Sequence, residues 1–460
     1  MSPRSLEDVL QAAGSPVELL RHSQTGPYAF PVVKPEFTNW RDEQRAWRET
    51  CALLDQSHHM TDLYVEGPDA IKLLSNLGIN TFKNFKVNQA KQFVACTDEG
   101  YVIGDAILFH LDEQLFSLVG RPPASNWVQY HAQTGGYSVK WERDERSAQN
   151  EGRRKVFRFE LQGPNALAVM QKILGRTPPD VRFFHMDSFS IGGRDVRALR
   201  HGMVGQPGWE LFGPWEHGDQ VRDAIVDAGR EFGIRLVGSR AYPTTCLESG
   251  WIPSPLPAIY TGETLKPYRQ WLTDKSYEAM ASLGGSYSSD SISDYYRTPY
   301  DLGYGHMVKF DHDFVGRAAL EAMAGKPHRK KVTLVWNSDD VNRAFGTVFH
   351  APGEGPKYID LPLANYATLP FDKVMVGQRM VGFSTYTGFS SNERAILSLG
   401  MLDPAHAETG TEVTVVWGEE GGGSRKPTVE RHVQTSIRAT VAPAPISDVA
   451  RRAYRPKALA

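Results

Sequence analysis

Two stretches of the chain repeat one strand–turn–helix pattern, and this repeat restricts the possible folds more than any other feature. Residues 62–77 (DLYVEGPDAIKLLSNL) and 158–174 (RFELQGPNALAVMQKIL) each join an alternating strand, through Gly-Pro, to a segment with apolar residues at helical spacing. The two Gly-Pro pairs stand 96 residues apart, too far for a solenoid. We therefore expect two similar halves, each packing a helix on a sheet, with Asp69 and Asn165 as helix N-caps.

Other segments extend this pattern along the chain. Residues 208–214 (GWELFGP) predict a strand and residues 216–233 a helix, while residues 40–55 (WRDEQRAWRETCALLD) have apolar positions at helical spacing. Towards the C-terminus short alternating strands dominate, namely KKVTLVW, RMVGFSTYTGF, EVTVVWG and HVQTSIRATV. These strands predict a β-rich C-terminal domain of small-barrel type. Residues 251–305 lack periodicity, but their many aromatic residues favour an ordered, packed segment over a disordered one.

Charge and cysteine content exclude several classes of protein. The 51 Lys and Arg residues nearly balance the 53 Asp and Glu residues, which argues against a large nucleic-acid-binding surface. No apolar stretch approaches the length of a membrane helix. Cys51, Cys96 and Cys246 are few and widely spaced, and the N-terminus has no apolar core of a signal peptide. We expect a cytoplasmic protein.

The motifs that could carry chemistry are weak when each is taken by itself. His58 and His59 lack further ligands at metal-binding spacing, and residues 310–314 (FDHDF) precede a helix start, so no metal site is predicted. The glycines of residues 202–208 do not form a dinucleotide-binding motif. Arg121 follows an apolar strand and precedes Pro-Pro, a rigid placement that suits a carboxylate clamp and equally a surface ion pair.

Taken in order, however, these segments resemble those of a known family. The matching motifs are LLDQSHHM (53–60), the two Gly-Pro-[Asp/Asn]-Ala turns, GWE (208–210), GSRAYPTTCLESG (238–250), DFVGRAAL (313–320) and GFSTYTGFS (382–390). By these motifs the chain is identified as a member of the aminomethyltransferase (T-protein) family of the glycine cleavage system.

The resemblance implies an α+β fold of three domains in a ring, with tetrahydrofolate in the central hole. The first domain would comprise residues 1–58 and 154–250, the second residues 59–153 and 251–325, and the third a β-barrel-like domain of residues 326–460. It also implies that Glu210, in the Gly-Trp-Glu motif, hydrogen-bonds the pterin edge.

Departures from the family pattern point to one branch of it. Gly104 replaces the first of two adjacent aspartates, Arg121 is new, and a longer loop carries Tyr242. The segment after Trp251 is longer by roughly thirty residues. These features resemble the tetrahydrofolate-dependent O-demethylases of lignin-derived aromatic acids, so no lipoyl-protein partner is expected.

The branch resemblance implies roles for nine residues. His59 and Tyr242 would be catalytic, and Arg121, Tyr28 and Phe30 would bind a small aromatic acid. The residues expected to contact tetrahydrofolate are Gln56, Val119, Glu210 and Trp251.

The implied reaction is O-demethylation of syringate to 3-O-methylgallate, with 5-methyltetrahydrofolate as the second product. Vanillate, giving protocatechuate, is the alternative substrate, and an aminomethyltransferase or a non-catalytic folate-binding protein is a further alternative. No nucleic acid or membrane partner is expected.

Overall fold

The computed structural model describes residues 4–150, 153–253 and 255–452, so the outer limits of the first and third predicted domains lie outside the described residues. Its α-helices are α1 (Leu6–Ala13), α2 (Pro16–His22), α3 (Trp40–Glu49), α4 (Ala70–Leu77), α5 (Pro122–Thr134), α6 (Ala166–Leu174), α7 (Gly218–Gly229), α8 (Thr245–Ser249), α9 (Lys266–Trp271), α10 (Arg317–Met323), α11 (Ser338–Gly346) and α12 (Asp448–Arg452). Within these ranges, no helix has the length and apolar character needed to cross a membrane.

The strands form two open sheets, a barrel and one short pair. They are β1 (Cys51–Asp55), β2 (Thr61–Glu66), β3 (Gln89–Cys96), β4 (Val102–Asp112), β5 (Leu115–Gly120), β6 (Lys140–Asp144), β7 (Val156–Gln162), β8 (Met186–Ile191), β9 (Arg194–Arg200), β10 (Gly208–Pro214), β11 (Ile234–Val237), β12 (Leu283–Gly284), β13 (Lys330–Trp336), β14 (Leu369–Pro370), β15 (Asp372–Val376), β16 (Arg379–Ser390), β17 (Ala395–Leu402), β18 (Glu412–Trp417) and β19 (Thr435–Ala442).

The two repeated segments lie in two similar sheet–helix units, as predicted. The first sheet has the order β11-β1-β7-β10-β9-β8, in which only β1 and β11 run parallel, and it packs against α6 and α7. The second sheet, β3-β4-β5-β2-β6, is antiparallel and packs against α4 and α5. Each predicted strand–helix pair, β2 with α4 and β7 with α6, lies within one unit.

The shared geometry of the two Gly-Pro turns explains why both begin with glycine. Gly67 and Gly163 have φ angles of +142° and +129°, which a residue with a side chain rarely adopts. A Cβ atom on Gly67 would lie 2.5 Å from the Ser138 carbonyl oxygen, and one on Gly163 would lie 2.6 Å from that of Thr50. Both turns therefore need a glycine for backbone conformation and for space.

Two local predictions need correction. Asp69 and Asn165 occupy the positions before α4 and α6, but neither side chain caps its helix. The Asp69 carboxylate instead accepts a hydrogen bond from the Ser138 backbone amide at 2.8 Å. The Asn165 side-chain amide donates to the Phe232 carbonyl at 3.0 Å. The helical pattern over residues 40–55 is also wrong beyond Glu49, because residues 51–55 form strand β1 between β7 and β11. A strand buried on both faces reads as a continuous apolar run, which periodicity does not distinguish from a helix.

The C-terminal unit is a closed barrel of strands β13-β17-β16-β15-β18-β19. Trp336 and Trp417 meet edge to face at 5.3 Å inside it. The predicted α+β fold with a β-barrel-like third domain is confirmed.

We propose the domain division given above with one change. Helices α1 and α2 contribute Leu6 and Leu20 to the core of the second unit, and the Leu6 amide donates to the Leu272 carbonyl at 2.8 Å. Residues 6–22 are therefore better grouped with the second domain than with the first.

Buried ion pairs join the two sheets. Arg158 of β7 donates to Asp62 of β2 at 2.8 Å and also to Glu210 of β10. Arg154 donates to the other oxygen of Asp62 at 2.6 Å and to Asp144 of β6 at 3.1 Å. Burial opposes the charge of Arg158, but the Asp62 and Glu210 carboxylates outweigh it and raise the pKa of this guanidinium.

Substituting Gly163→Ala should lower the free energy of unfolding by about 1–3 kcal/mol, because the new Cβ meets the Thr50 carbonyl in a backbone conformation that favours glycine. Urea denaturation followed by tryptophan fluorescence measures the change. Gly346→Ala is the matched control, since Gly346 has a φ of −58° and a Cβ atom added there would have no neighbour within 4 Å. Equal stability of the Gly163 variant and the wild type would contradict the steric account.

Candidate active site

A cavity lies where the two sheets, the segment of residues 23–36 and barrel strand β16 meet. All nine residues predicted to form the site line this cavity: Tyr28, Phe30, Gln56, His59, Val119, Arg121, Glu210, Tyr242 and Trp251. Their positions are thus brought together as the prediction requires, whereas their individual roles stay predictions.

One end of the cavity is aromatic. His59 lies in the turn between strands β1 and β2, not between a helix and a strand as the sequence suggested, and Tyr242 begins a short 3-10 turn. The rings of His59, Tyr242 and Phe30 contact one another with centroid distances of 4.7–5.0 Å. Tyr28 packs edge to face on Phe30 at 5.7 Å. Together these four rings form an aromatic lining of the cavity, called the aromatic slot, against which a flat aromatic ligand can pack.

Burial keeps both candidate catalytic groups neutral. It lowers the pKa of His59 to about 3, with the Asp55 carboxylate opposing that effect and Arg121 adding to it. It also raises the pKa of the Tyr242 phenol well above its ordinary value. At neutral pH the pair therefore offers an uncharged imidazole and an uncharged hydroxyl.

Arg121 is a buried cation without a carboxylate partner in the described ranges. It directly follows β5 and precedes α5, it is 8% exposed, and its guanidinium stacks on the Tyr28 ring at 4.3 Å. Its one hydrogen bond among those residues runs from Nη1 to the Pro253 carbonyl at 3.0 Å. Because buried charges in proteins are normally paired, this arrangement indicates a site for an anion.

Another part of the cavity, its acceptor end, presents hydrogen-bond acceptors. Glu210 of β10 is held by Arg158, and its second oxygen lies 3.8 Å from His201 Nδ1. Gln56 has its amide nitrogen 2.9 Å from the Met203 sulfur, and its amide oxygen is buried without a hydrogen-bond partner among the described residues. Val119 of β5 adds an apolar wall.

Asp105 lines the cavity, although the sequence motifs did not single it out. Its Oδ2 atom accepts from Gln92 at 2.7 Å, Tyr304 at 2.8 Å and Trp251 at 3.1 Å, while Oδ1 is buried with no partner in the described part of the chain. Burial raises the pKa of this carboxyl group.

The alternation of side chains along strand β4 places Gly104 and Asp105 on opposite faces of the strand. A Cβ atom on Gly104 would lie 2.8 Å from the backbone nitrogen of Ala124 in α5, so the aspartate missing from the family pattern would face the helix. The retained Asp105 faces the cavity, on the same side of the strand as Ile107. The alternation of side chains between the two faces of a strand, applied to residues 102–108, is the sequence signal that identifies Asp105.

One group of side chains in the described ranges has the spacing of a metal site. Ligand atoms of Glu160, His201 and Glu210 lie within 4.8 Å of one another. Hydrogen bonds already engage this group, since Arg158 donates to Glu210 and His201 Nδ1 lies 3.4 Å from Glu160. Glu160 and Glu210 are buried, His201 is half-buried, and each of the three side chains has at least one polar partner within the fold.

Comparisons with known proteins agree with this architecture. The family model "GCVT N-terminal domain" matches residues 9–254. "Syringate O-demethylase" of Sphingobium sp. (strain NBRC 103272 / SYK-6) is 52% identical over 452 residues, which cover 98% of each chain. "Sesamin methylene transferase" of Sinomonas sp. (strain No.22) is 32% identical and covers 85% of this chain and 88% of its own.

A solved structure shares the fold across the whole chain. The glycine cleavage system aminomethyltransferase T from Bartonella henselae aligns with a TM-score of 0.61 at 18% identity, and the alignment covers 96% of each chain. From the matched family model and the near full-length relatives, we conclude that this chain belongs to the T-protein (GCVT) family, in the branch that includes syringate O-demethylase.

Proposed function

We propose that this protein is a tetrahydrofolate-dependent O-demethylase of a methoxylated aromatic acid, with syringate as the preferred substrate and vanillate as the alternative. The observation that carries the proposal is the buried Arg121, which has no carboxylate partner among the described residues and stands beside the aromatic slot of His59, Tyr242 and Phe30. The 52% identity to a protein named syringate O-demethylase supports the same reaction.

The carboxylate of the substrate matches the Arg121 guanidinium, and its methoxylated ring matches the aromatic slot. A carboxylate can take two parallel hydrogen bonds from a guanidinium, and pairing with Arg121 would satisfy that buried charge. Tyr28 and Phe30 then flank the ring, so that the methoxy group points towards His59 and Tyr242. A fixed carboxylate decides which methoxy group is presented, and this alignment supplies part of the rate acceleration.

The acceptor end of the cavity fits a reduced pterin. The pterin edge carries amino and ring N–H donors, and Glu210 and the unpartnered Gln56 oxygen offer acceptor positions among the described residues. Trp251 and Val119 provide apolar walls beside them. When bound, tetrahydrofolate would supply a secondary amine nitrogen that accepts the methyl group as the bond between the methyl carbon and the ether oxygen breaks.

The departing oxygen needs a proton, and Tyr242 is the better placed donor. A His59 with a pKa of about 3 carries no spare proton at neutral pH, so it acts as a neutral hydrogen-bonding partner. The Tyr242 hydroxyl keeps its proton at neutral pH and can donate it to the departing phenolate oxygen as the methyl group leaves. Asp105 Oδ1 faces the cavity as an acceptor for the proton that the amine gives up.

We also propose that the protein acts on a small molecule in the cytoplasm, without a lipoyl-protein, nucleic-acid or membrane partner. In this proposal Arg121 receives a diffusible acid, and the near balance of acidic and basic residues gives no broad basic surface.

An anaerobic incubation tests the proposed function. The purified protein is mixed with tetrahydrofolate and either syringate or vanillate, and both the demethylated phenol and 5-methyltetrahydrofolate are quantified. We expect equal amounts of the two products, none without folate, and faster turnover of syringate. Binding of tetrahydrofolate with no product from either acid would contradict the demethylase and favour an aminomethyltransferase or a non-catalytic folate-binding protein.

Replacing Arg121 should weaken the use of acids selectively. Arg121→Met removes the charge but keeps an apolar side chain, and we expect kcat/KM for syringate to fall about ten- to hundredfold, the range for a lost hydrogen bond to a charged group. The methyl ester of syringate is the control substrate, because it lacks the carboxylate and should be used equally by both proteins. An unchanged KM for syringate would remove Arg121 from substrate binding.

Replacing the Tyr242 hydroxyl should affect chemistry rather than binding. We expect Tyr242→Phe to lower kcat about 10²- to 10⁴-fold, as for loss of a general acid, with an unchanged Kd for tetrahydrofolate. Tyr300→Phe is the matched control, since the Tyr300 hydroxyl donates to the Leu320 carbonyl at 2.9 Å, away from the cavity. Near wild-type kcat in the Tyr242 variant would exclude this residue as the proton donor.

A further inference from the structure

Three tyrosines lie near Arg121, and one of them has a hydroxyl without a hydrogen-bond partner among the described residues. The Tyr28 hydroxyl donates to the His59 carbonyl, and the Tyr386 hydroxyl donates to the Pro243 carbonyl at 3.0 Å. The Tyr277 hydroxyl is buried and has no hydrogen-bond partner among the described residues. A buried hydroxyl without a partner is costly, so this one calls for an explanation.

Tyr277 lies next to the proposed carboxylate site. Its ring centroid is 6.3 Å from that of Tyr28, whose face carries the Arg121 guanidinium at 4.3 Å. Tyr277 also lies close enough to Arg121 to interact with it electrostatically. The side chain is 7% exposed, so water does not reach it freely.

Tyr277 belongs to the long segment of residues 251–305, and contacts of its neighbour in that segment hold it in this position. The next residue, Glu278, is fully buried, and both of its carboxylate oxygens accept from the Asn126 amide, at 3.0 and 2.9 Å. Asn126 belongs to α5, the helix that begins directly after Arg121. The Glu278 carbonyl also accepts from the Tyr260 hydroxyl at 3.0 Å. Tyr277 is thereby tied to the same helix terminus that holds Arg121.

We propose that the Tyr277 hydroxyl donates a hydrogen bond to the substrate carboxylate that Arg121 holds, so that the two residues form one acid clamp. The inference rests on the proposed function, and it deepens that function by naming a second residue that selects a carboxylated ring. One carboxylate satisfies both unpaired groups, because its two oxygens offer about four acceptor positions. The inserted segment, to which the sequence motifs gave no role, then serves substrate selection.

The clamp also explains why a carboxylate is preferred over a neutral group. A guanidinium and a phenol are both donors, so an ester or aldehyde, with fewer acceptor positions and no charge, leaves part of the pair unsatisfied in a buried site. Discrimination through buried polar groups left unpaired is stronger than discrimination by shape alone.

Direct binding measurements test the clamp independently of turnover. Calorimetry gives the Kd of syringate and of its methyl ester for the wild type, Tyr277→Phe and Tyr268→Phe. Tyr268 is the matched control, a buried tyrosine of the same segment that packs on Trp127 at 4.8 Å. We expect Tyr277→Phe to weaken syringate binding about tenfold or more while the ester and the Tyr268 variant show no change.

Combining Tyr277→Phe with Arg121→Met should add little to the loss caused by Arg121→Met alone, because the carboxylate is then no longer seated. Unchanged affinity of Tyr277→Phe for syringate, or an equal loss for acid and ester, would overturn the clamp, since the second result indicates a packing role. A wild-type protein that binds neither syringate nor vanillate would instead overturn the proposed function itself.

Discussion

The structure depends on a buried chain of charges that ties one sheet to the other. Arg158 reaches from the first sheet to Asp62 in the second, and Arg154 completes the link from Asp62 to Asp144. Losing one member would leave an uncompensated charge in the interior, at a cost of about 3–5 kcal/mol. The same Arg158 also holds Glu210, so the contact that aligns the sheets also sets the acceptor end of the cavity.

Two buried arginines in this molecule have contrasting surroundings. Arg158 has its carboxylates within the fold, and its function there is structural. Arg121 is also buried but has only a carbonyl as a hydrogen-bond partner among the described residues. The Arg158 charge is paired with carboxylates of the fold, whereas the Arg121 charge has no carboxylate partner among the described residues. This difference is the physical basis on which we assign the anion-binding role to Arg121.

Burial also limits the chemistry of the aromatic slot. With His59 and Tyr242 both held neutral, the site is suited to hydrogen bonding and to proton sharing between phenols rather than to catalysis by a charged imidazolium. The cavity draws on both sheet units, the segment of residues 23–36 and barrel strand β16, so its geometry requires the correct packing of all of them. Such a composite site brings residues far apart in the chain to one cavity.

Much of the architecture could be predicted from local pattern. The Gly-Pro turns, strand β10 and the barrel strands carry periodicities that local sterics enforce. The end of helix α3 could not be predicted in this way, because whether residues 51–55 continue the helix or form β1 is decided by pairing with β7 and β11. Family motifs indicated nine cavity residues but gave no role to Asp105, the retained second aspartate, because only the structure shows which face of β4 meets the cavity.

By itself, the sequence determined the repeated strand–helix units, the need for glycine at both turns and the set of residue types available for chemistry. These follow from backbone sterics and side-chain periodicity, which act over a few residues. Only the tertiary structure decided that Arg121 is buried without a carboxylate among the described residues, that His59 is neutral and that Tyr277 packs near Tyr28. Burial, dielectric environment and the pairing of charges depend on contacts between segments far apart in the chain, which no local pattern encodes.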